Sequence, residues 1–411
     1  MKGSCETGAP TGEFDLGSRE DHERVRDTAD ALLASHTSEG DLSEIGSDGD
    51  APLDLRLATK LALSKMAMHD AGWTGRVGIV FAMWGERRRL MPRSVDNPTG
   101  EDALHVKLDQ LAWLFDDTTV QWAVYPVDDG DPDDSATIAA KRAASHPEGD
   151  RVTVLRLADA LPSVDGPLVG LADVDESRKG GAIVLGASRA IEDGCDVVIM
   201  TDADNSVDLG QAGLLIASHA AGSNVVIGDR KHREAVLVKA EARWGPGIVV
   251  LRHMQRMVGR ALFSRGIRDT QAAFKLYDRA SLDDILAAPS TFGFAFDSDW
   301  LYGAIGGGHS IERVPFAFID SFEESASLAQ GPMTTWESLL RGLVDAARAR
   351  GVDHDEDMAG VIDDHADAVE LDRVVLVVPP ELEGVDDSAL GDPLVMTPAA
   401  LRSWLETLPR S

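Results

Sequence analysis

The run of apolar and polar positions divides the chain into four stretches. Up to about residue 50, Gly, Ser, Asp and Glu prevail and aromatics are scarce, which predicts disorder broken by a short helix over 21–34. Over 52–70, Leu53, Leu57, Leu61 and Met66 recur at helical spacing and predict an amphipathic helix packed on the main domain. From Arg76 apolar runs of strand length alternate with helical segments. The pattern predicts strands at 77–82, 120–127, 152–157, 197–201 and 225–228, and helices at 102–115, 134–144, 181–192 and 209–220. After about residue 350 come an acidic run from Asp353 to Asp357, a lone apolar run at 374–378, and a last helix with Thr397 as N-cap and Pro398 at its first position. Residues 351–411 therefore read as an acidic appendage.

Strands that are apolar throughout need cover on both faces, so 76–350 reads as one doubly wound α/β domain with a mostly parallel sheet. In such sheets ligands bind beyond the carboxyl ends of the strands. Three polar clusters fall there: Gly85-Glu86, Asp128-Asp129-Gly130 and Asp202-Ala203-Asp204.

Charge narrows the partners. Seventy acidic against 39 basic residues leave a formal charge of −31, which repels nucleic acid and anionic lipid at long range. The excess is spread along the chain and Lys is rare beside Arg, a surface suited to concentrated salt and a halophilic cytoplasm. Two cysteines, Cys5 and Cys195, imply no disulfide framework and fit a reducing compartment. No apolar run reaches the ~18 residues of a membrane span, so the expectation is a cytoplasmic protein, peripheral to a membrane at most.

The candidate chemistry starts at Asp202 and Asp204. Residues i and i+2 of an extended backbone face the same way, so both carboxylates can meet one hard cation. Two ordinary loop acids are the plain alternative. Asp128 and Asp129 stand at a tight turn and could accept from a nucleobase imide or a ribose hydroxyl, or simply shape the turn. Arg178-Lys179-Gly180-Gly181 opens a helix, where free N–H groups and cations can hold a phosphate. Arg252, Arg256, Arg268 and Lys275 are unusually basic for this chain and suggest an anionic ligand nearby, or partners for neighbouring acids. Asp297 and Asp299 precede a helix amid aromatics, as base, orienting acid or helix cap.

In order, Phe81-Ala82-Met83-Trp84-Gly85-Glu86, Val127-Asp128-Asp129-Gly130-Asp131, Arg178-Lys179-Gly180-Gly181-Ala182, Asp202-Ala203-Asp204-Asn205, Gly228-Asp229-Arg230, Asp269-Thr270-Gln271-Ala272-Ala273-Phe274-Lys275 and Gly293-Phe294-Ala295-Phe296-Asp297-Ser298-Asp299 resemble the motifs of the family 2 glycosyltransferases of GT-A fold. The branch they resemble most contains the dolichyl-phosphate glucosyltransferases and polyprenyl-phosphate mannosyltransferases. The resemblance implies that Glu86, Asp128 and Asp129 contact the nucleoside of a UDP- or GDP-sugar, with Lys179 also on the donor side. It implies that Asp202 and Asp204 hold Mg²⁺ or Mn²⁺ against the diphosphate, and that Arg230, Gln271 and Lys275 line donor or acceptor phosphates. Asp297, Asp299 and Asp269 would serve the transfer step, with inversion at the anomeric carbon and a polyprenyl phosphate or a glycan hydroxyl as acceptor. Departures from the pattern are Trp84-Gly85 for Tyr-Asn, Asp229 for Ser and Ala273 for Gly. A nucleotide-sugar-binding protein without transfer activity is the alternative. A sugar-phosphate nucleotidylyltransferase ranks third, because the loop after the first strand lacks its Gly-rich, basic wrap.

Overall fold

The computed structural model describes residues 14–238, 245–320 and 332–409. Its central sheet is built from β1 (Arg76–Met83), β2 (Gln121–Asp128), β3 (Leu155–Arg156), β4 (Val197–Thr201), β5 (Val225–Asp229), β7 (Phe274–Asp278) and β8 (Ile311–Pro315), in the order β3-β2-β1-β4-β7-β5-β8. All neighbours run parallel except β7, which lies antiparallel between β4 and β5. A separate parallel pair joins β6 (Val236–Val238) to β9 (Ala317–Ile319).

The strands are Val- and Ile-rich because helices cover both faces. One apolar layer gathers Val80, Tyr125, Val127, Met200 and Ile227 with α7 (Gly180–Glu192) and α9 (Ile248–Val258). The other gathers Ile79, Phe81, Val124, Ile199 and Phe274 with α5 (Ala103–Phe115) and α8 (Ala212–Ala220). The mixed α/β reading and the mostly parallel sheet are therefore as expected. The short helix α6 (Ser135–Ala144) also falls where the pattern placed it. Shorter helices α4 (Arg87–Leu90), α10 (Arg260–Phe263) and α11 (Arg279–Leu286) lie in the connections.

Register fixes the site edge. Met83 pairs with Asp128 and Thr201 with Phe274, so the carboxyl ends of β1, β2 and β4 lie level with the start of antiparallel β7. The loops 84–86, 128–131, 202–208 and 269–271 consequently share one rim.

Three expectations need correction. Residues 14–50 are not disordered: α1 (Arg19–Ala34) and α2 (Glu39–Ser47), each with a capping serine, bury Val25, Ala29 and Leu42. These few apolar residues suffice because they pack on α3 (Leu53–Ala71), where Leu57, Ala58, Leu61 and Ala62 are waiting. For the same reason α3 is not amphipathic: residues 57–64 are buried continuously, Thr59, Lys60 and Ser64 included. Burial lowers the Lys60 ammonium to about 8.

Residues 351–409 are no appendage. The long helix α13 (Pro332–Arg350) is followed by α14 (Glu356–His365), α15 (Ala368–Val374) and α16 (Pro398–Thr407), whose Val361, Ile362, Leu371 and Leu401 join the main core. The run at 374–378 ends a helix and enters a turn, while Thr397 caps α16 as expected. Cys5 lies outside the described residues and Cys195 is buried.

Candidate active site

The Asp202 and Asp204 side chains are half-buried at the rim, just past β4. The Lys179 ammonium donates to Asp202 Oδ1, while its backbone N–H donates to Asp129 Oδ2 at 2.7 Å. Lys179 thus ties the end of β2 to the end of β4. It sits at φ 73 before α7, a conformation side chains seldom adopt, and the following Gly180 abuts the Phe292 carbonyl so closely that a Cβ would lie 2.7 Å from its oxygen. Burial opposes both charges of the Lys179–Asp202 pair, yet mutual attraction prevails: the Asp202 carboxyl is held below its ordinary range and the Lys179 ammonium above.

Asp129 is buried, and desolvation pushes its carboxyl up to about 6. Its Oδ1 is buried without a hydrogen-bond partner. Asp128 is differently employed: Oδ1 accepts from Gly130 and Asp131 N–H at 3.1 and 3.0 Å, and Oδ2 from Ala136 at 3.4 Å. It shapes the turn. Glu86 is buried, accepts from Arg89 Nη1 at 2.9 Å, and is raised by desolvation.

Across the rim, Arg230 and Asp269 form a two-pronged pair, Nε to Oδ2 at 2.8 Å and Nη2 to Oδ1 at 2.7 Å, with the guanidinium over the Phe318 ring. Its charge acts on both Asp202 and Asp297. Lys275 donates to Asp297 and to the Ala272 carbonyl, and both side chains are buried. Gln271 is half-buried beside Thr270.

The structure therefore gathers Asp129, Lys179, Asp202, Asp204, Arg230, Asp269, Lys275 and Asp297, with Glu86 behind Asp204. Asp299 stands apart. On α12 (Phe296–Gly306), it is buried and takes Arg350 through both oxygens at 2.8 and 3.0 Å and Ser290 Oγ at 2.6 Å. It anchors α13 and faces no acceptor. The arginines of α9 and α10 are also paired: Arg252 and Arg256 meet Asp387, and Arg260 meets Asp353. Arg252 and Arg256 thus neutralise a C-terminal acid, as the alternative of partners for neighbouring acids had it.

Beneath the Asp202–Asp204 loop lie residues the motifs do not mark. Glu101 is buried, is driven up to about 7 by desolvation, and accepts from Asn205 N–H at 2.8 Å. Lys107 is fully buried and donates to the Asp204 carbonyl. A lysine between Val106 and Leu108 on a helix apolar on nearly every side was the available signal for it.

Among the described residues, no group of three or more His, Cys, Asp or Glu is placed to hold a metal ion. Two half-buried carboxylates, one already carrying an ammonium, nevertheless suit a divalent ion that takes its other oxygens from a diphosphate and water.

No family model matches the chain. Over 232 residues it is 28% identical to a polyprenol monophosphomannose synthase of Mycolicibacterium smegmatis, covering 55% of this chain and 78% of that protein. By this likeness the chain is a glycosyltransferase. Its seven-stranded sheet is the mostly parallel α/β sheet that its motifs implied. Solved structures similar to this glycosyltransferase include a mannosyl-3-phosphoglycerate synthase from Rubrobacter xylanophilus, with TM-score 0.45, 15% identity, and 77% of this chain and 85% of that one covered. Another is the glucosyl-3-phosphoglycerate synthase of Mycobacterium tuberculosis, with TM-score 0.44, 14% identity, and 71% and 84% covered. Among the described residues of the enzyme, no helix is long and apolar enough to cross a membrane.

Proposed function

We propose that the protein is a cytoplasmic, divalent-metal-dependent, inverting glycosyltransferase that moves a hexose from a UDP- or GDP-sugar to a phosphate-bearing acceptor. The observation that carries the acceptor class is the state of the three candidate bases. Asp269 is held by Arg230, Asp297 by Lys275 and Asp299 by Arg350. A sugar hydroxyl needs a carboxylate to take its proton, whereas a phosphate monoester, with a second pKa near ~6, arrives as a nucleophile. The relative is named for a polyprenol monophosphomannose, a sugar joined to a phosphate of that class.

In this reading Asp129 Oδ1 accepts from the nucleoside, and Asp202 and Asp204 hold Mg²⁺ or Mn²⁺. When bound, the ion stabilises the negative charge that builds on the departing nucleoside diphosphate. Lys179 moves from Asp202 to a phosphate oxygen. Arg230, fixed by Asp269, offers its remaining N–H groups to donor or acceptor phosphate, and its charge counts most in the transition state. Lys275 and Asp297 keep the floor of the site rigid and near neutral.

The test is thermal stabilisation with UDP, GDP and their hexose conjugates, with Mn²⁺ or EDTA, at high and low salt. A metal-dependent rise with one nucleotide, lost in Asp204→Asn, is expected. Full turnover of Asp204→Asn at saturating Mn²⁺ would remove the metal assignment. Binding without transfer to a polyprenyl phosphate or a glycan would leave a nucleotide-sugar-binding protein.

A further inference from the structure

Resting on that donor-site reading, we propose that the N-terminal segment 14–34 braces the Asp202–Asp204 loop and acts through Asn205, which makes Asn205 a positioning residue for the metal and the diphosphate. Asn205 is only 2% exposed, and three hydrogen bonds fix it. Its backbone N–H donates to Glu101 Oε2 at 2.8 Å. Its side-chain amide forks to the Glu101 carbonyl at 3.0 Å and to the Leu16 carbonyl, 189 residues away, at 3.1 Å. Two carbonyl acceptors also settle which end of the amide faces them.

The Leu16 carbonyl is itself held. It accepts from His22 Nε2 at 3.0 Å, which leaves His22 Nδ1 to accept from Gln110 Nε2 at 3.5 Å. Gln110 in turn receives Leu209 N–H at 3.0 Å, so the far end of the loop is tied to the same segment. Arg19 anchors α1 to Asp109 at 2.7 Å, and Val25 and Ala29 seat it on α3. The near end is held by Lys107 on the Asp204 carbonyl, and Asp204 Oδ1 accepts from Ser206 N–H at 3.1 Å.

A function follows from the charges. Glu86, Glu101, Asp202 and Asp204 share one corner with Arg89, Lys107 and Lys179, and a loop without its brace would be free to leave that balanced arrangement. A loop already set in the binding geometry avoids reorganisation when metal and diphosphate arrive. The brace thus acts on affinity for the metal and leaves the saturated rate nearly untouched.

The test compares wild type, Asn205→Ala, the similarly sized Asn205→Leu, which lacks the amide donor, His22→Phe, and the Asn205→Ala/His22→Phe double variant. Mn²⁺ half-saturation is read from nucleotide-dependent thermal stabilisation and from transfer. Either Asn205 variant should raise it about tenfold, the usual cost of losing support behind a metal ligand, with kcat at saturating Mn²⁺ held within about twofold. His22→Phe should raise it less, and should add nothing to Asn205→Ala because the connection is already cut. Unchanged half-saturation in Asn205→Ala, or in His22→Phe should the Asn205 variants fail to fold, would overturn the brace. Absence of metal-dependent stabilisation in the wild type would instead defeat the donor-site reading, and the brace with it.

Discussion

The ammonium of Lys179 rests on Oδ1 of Asp202, the carboxylate that stands first in the loop after β4. A cation thus already occupies part of the seat assigned to the metal. Lys179→Met should therefore bind Mn²⁺ a few-fold more tightly in the absence of nucleotide, since the competitor is gone. The same change removes a charged donor to phosphate and should raise the donor KM by roughly tenfold or more. Calorimetric Mn²⁺ titration with and without UDP or GDP separates the two effects, and weaker Mn²⁺ binding in both states would contradict them.

Two acids two residues apart on α12 have different duties. Asp297 meets the fully buried Lys275, so Lys275→Met strands a buried carboxylate and should cost about 3–5 kcal/mol of stability in urea unfolding, part of it recovered by adding Asp297→Asn. Asp299 holds Arg350. Asp299→Asn should lower the melting temperature while leaving kcat of the folded fraction within about twofold, because only groups on the reacting atoms change the barrier. A large fall in kcat without loss of stability would return Asp299 to the chemistry.

What the sequence made legible followed from period and position. The apolar runs located β1, β2, β4 and β5 to within a residue or two, and strand ends located the acid clusters. Three things were hidden. Strand β7 was masked because Phe274–Asp278 carries Lys275, whose burial is possible only with Asp297 opposite. The helical N-terminus has too few apolar residues to look folded until α3 supplies the matching face. The duties of Asp128 and Asp299 depend on hydrogen bonds to residues that no local pattern pairs with them, such as Ala136 and Arg350.

Desolvation raises Glu101 from 4.5 to about 7 and Asp129 from 3.8 to about 6. Between the lower and upper value of each, the folded chain keeps a proton that the unfolded chain has lost. Stability from these two groups is therefore full below about pH 4 and falls as pH rises through 6 and 7. Glu101→Gln should flatten the fall between pH 4.5 and 7 and gain on the order of 1–3 kcal/mol over wild type at pH 8. Urea unfolding at fixed ionic strength across that range is the measurement. A wild-type contribution from Glu101 that grows with pH would reverse the assignment.

A net charge of −31 repels itself across the surface, and salt shortens the range of that repulsion to about 3 Å at 1 M. Raising KCl from 0.1 to 2 M should lift the melting temperature by roughly 3–5 °C, the equivalent of about 3–4 kcal/mol in a chain of this size. An equal rise in a variant with a dozen surface acids changed to amides would point to general salt effects in place of charge screening.

The C-terminal residues carry enough apolar surface to decide whether the domain folds. Met358, Val361, Ile362, Leu371, Val374, Leu401 and Leu405 are all buried in the core that also holds α7 and α9. At about 1.5–3 kcal/mol for each buried side chain, they supply on the order of 10–20 kcal/mol, as much as the whole net stability of a typical domain. Polar ties reinforce the contact: His253 Nε2 donates to the Met396 carbonyl at 2.9 Å, its Nδ1 accepts from Gly391 N–H at 3.0 Å, and Arg256 meets Asp387. Removal of residues 352–411 would uncover the apolar side of α9 and α13 and leave His253 and Arg256 without these partners. The truncated chain should be recovered as aggregate or show no cooperative melting transition by circular dichroism. A soluble, cooperatively melting 1–351 fragment that still binds nucleotide would show that these residues are an appendage after all.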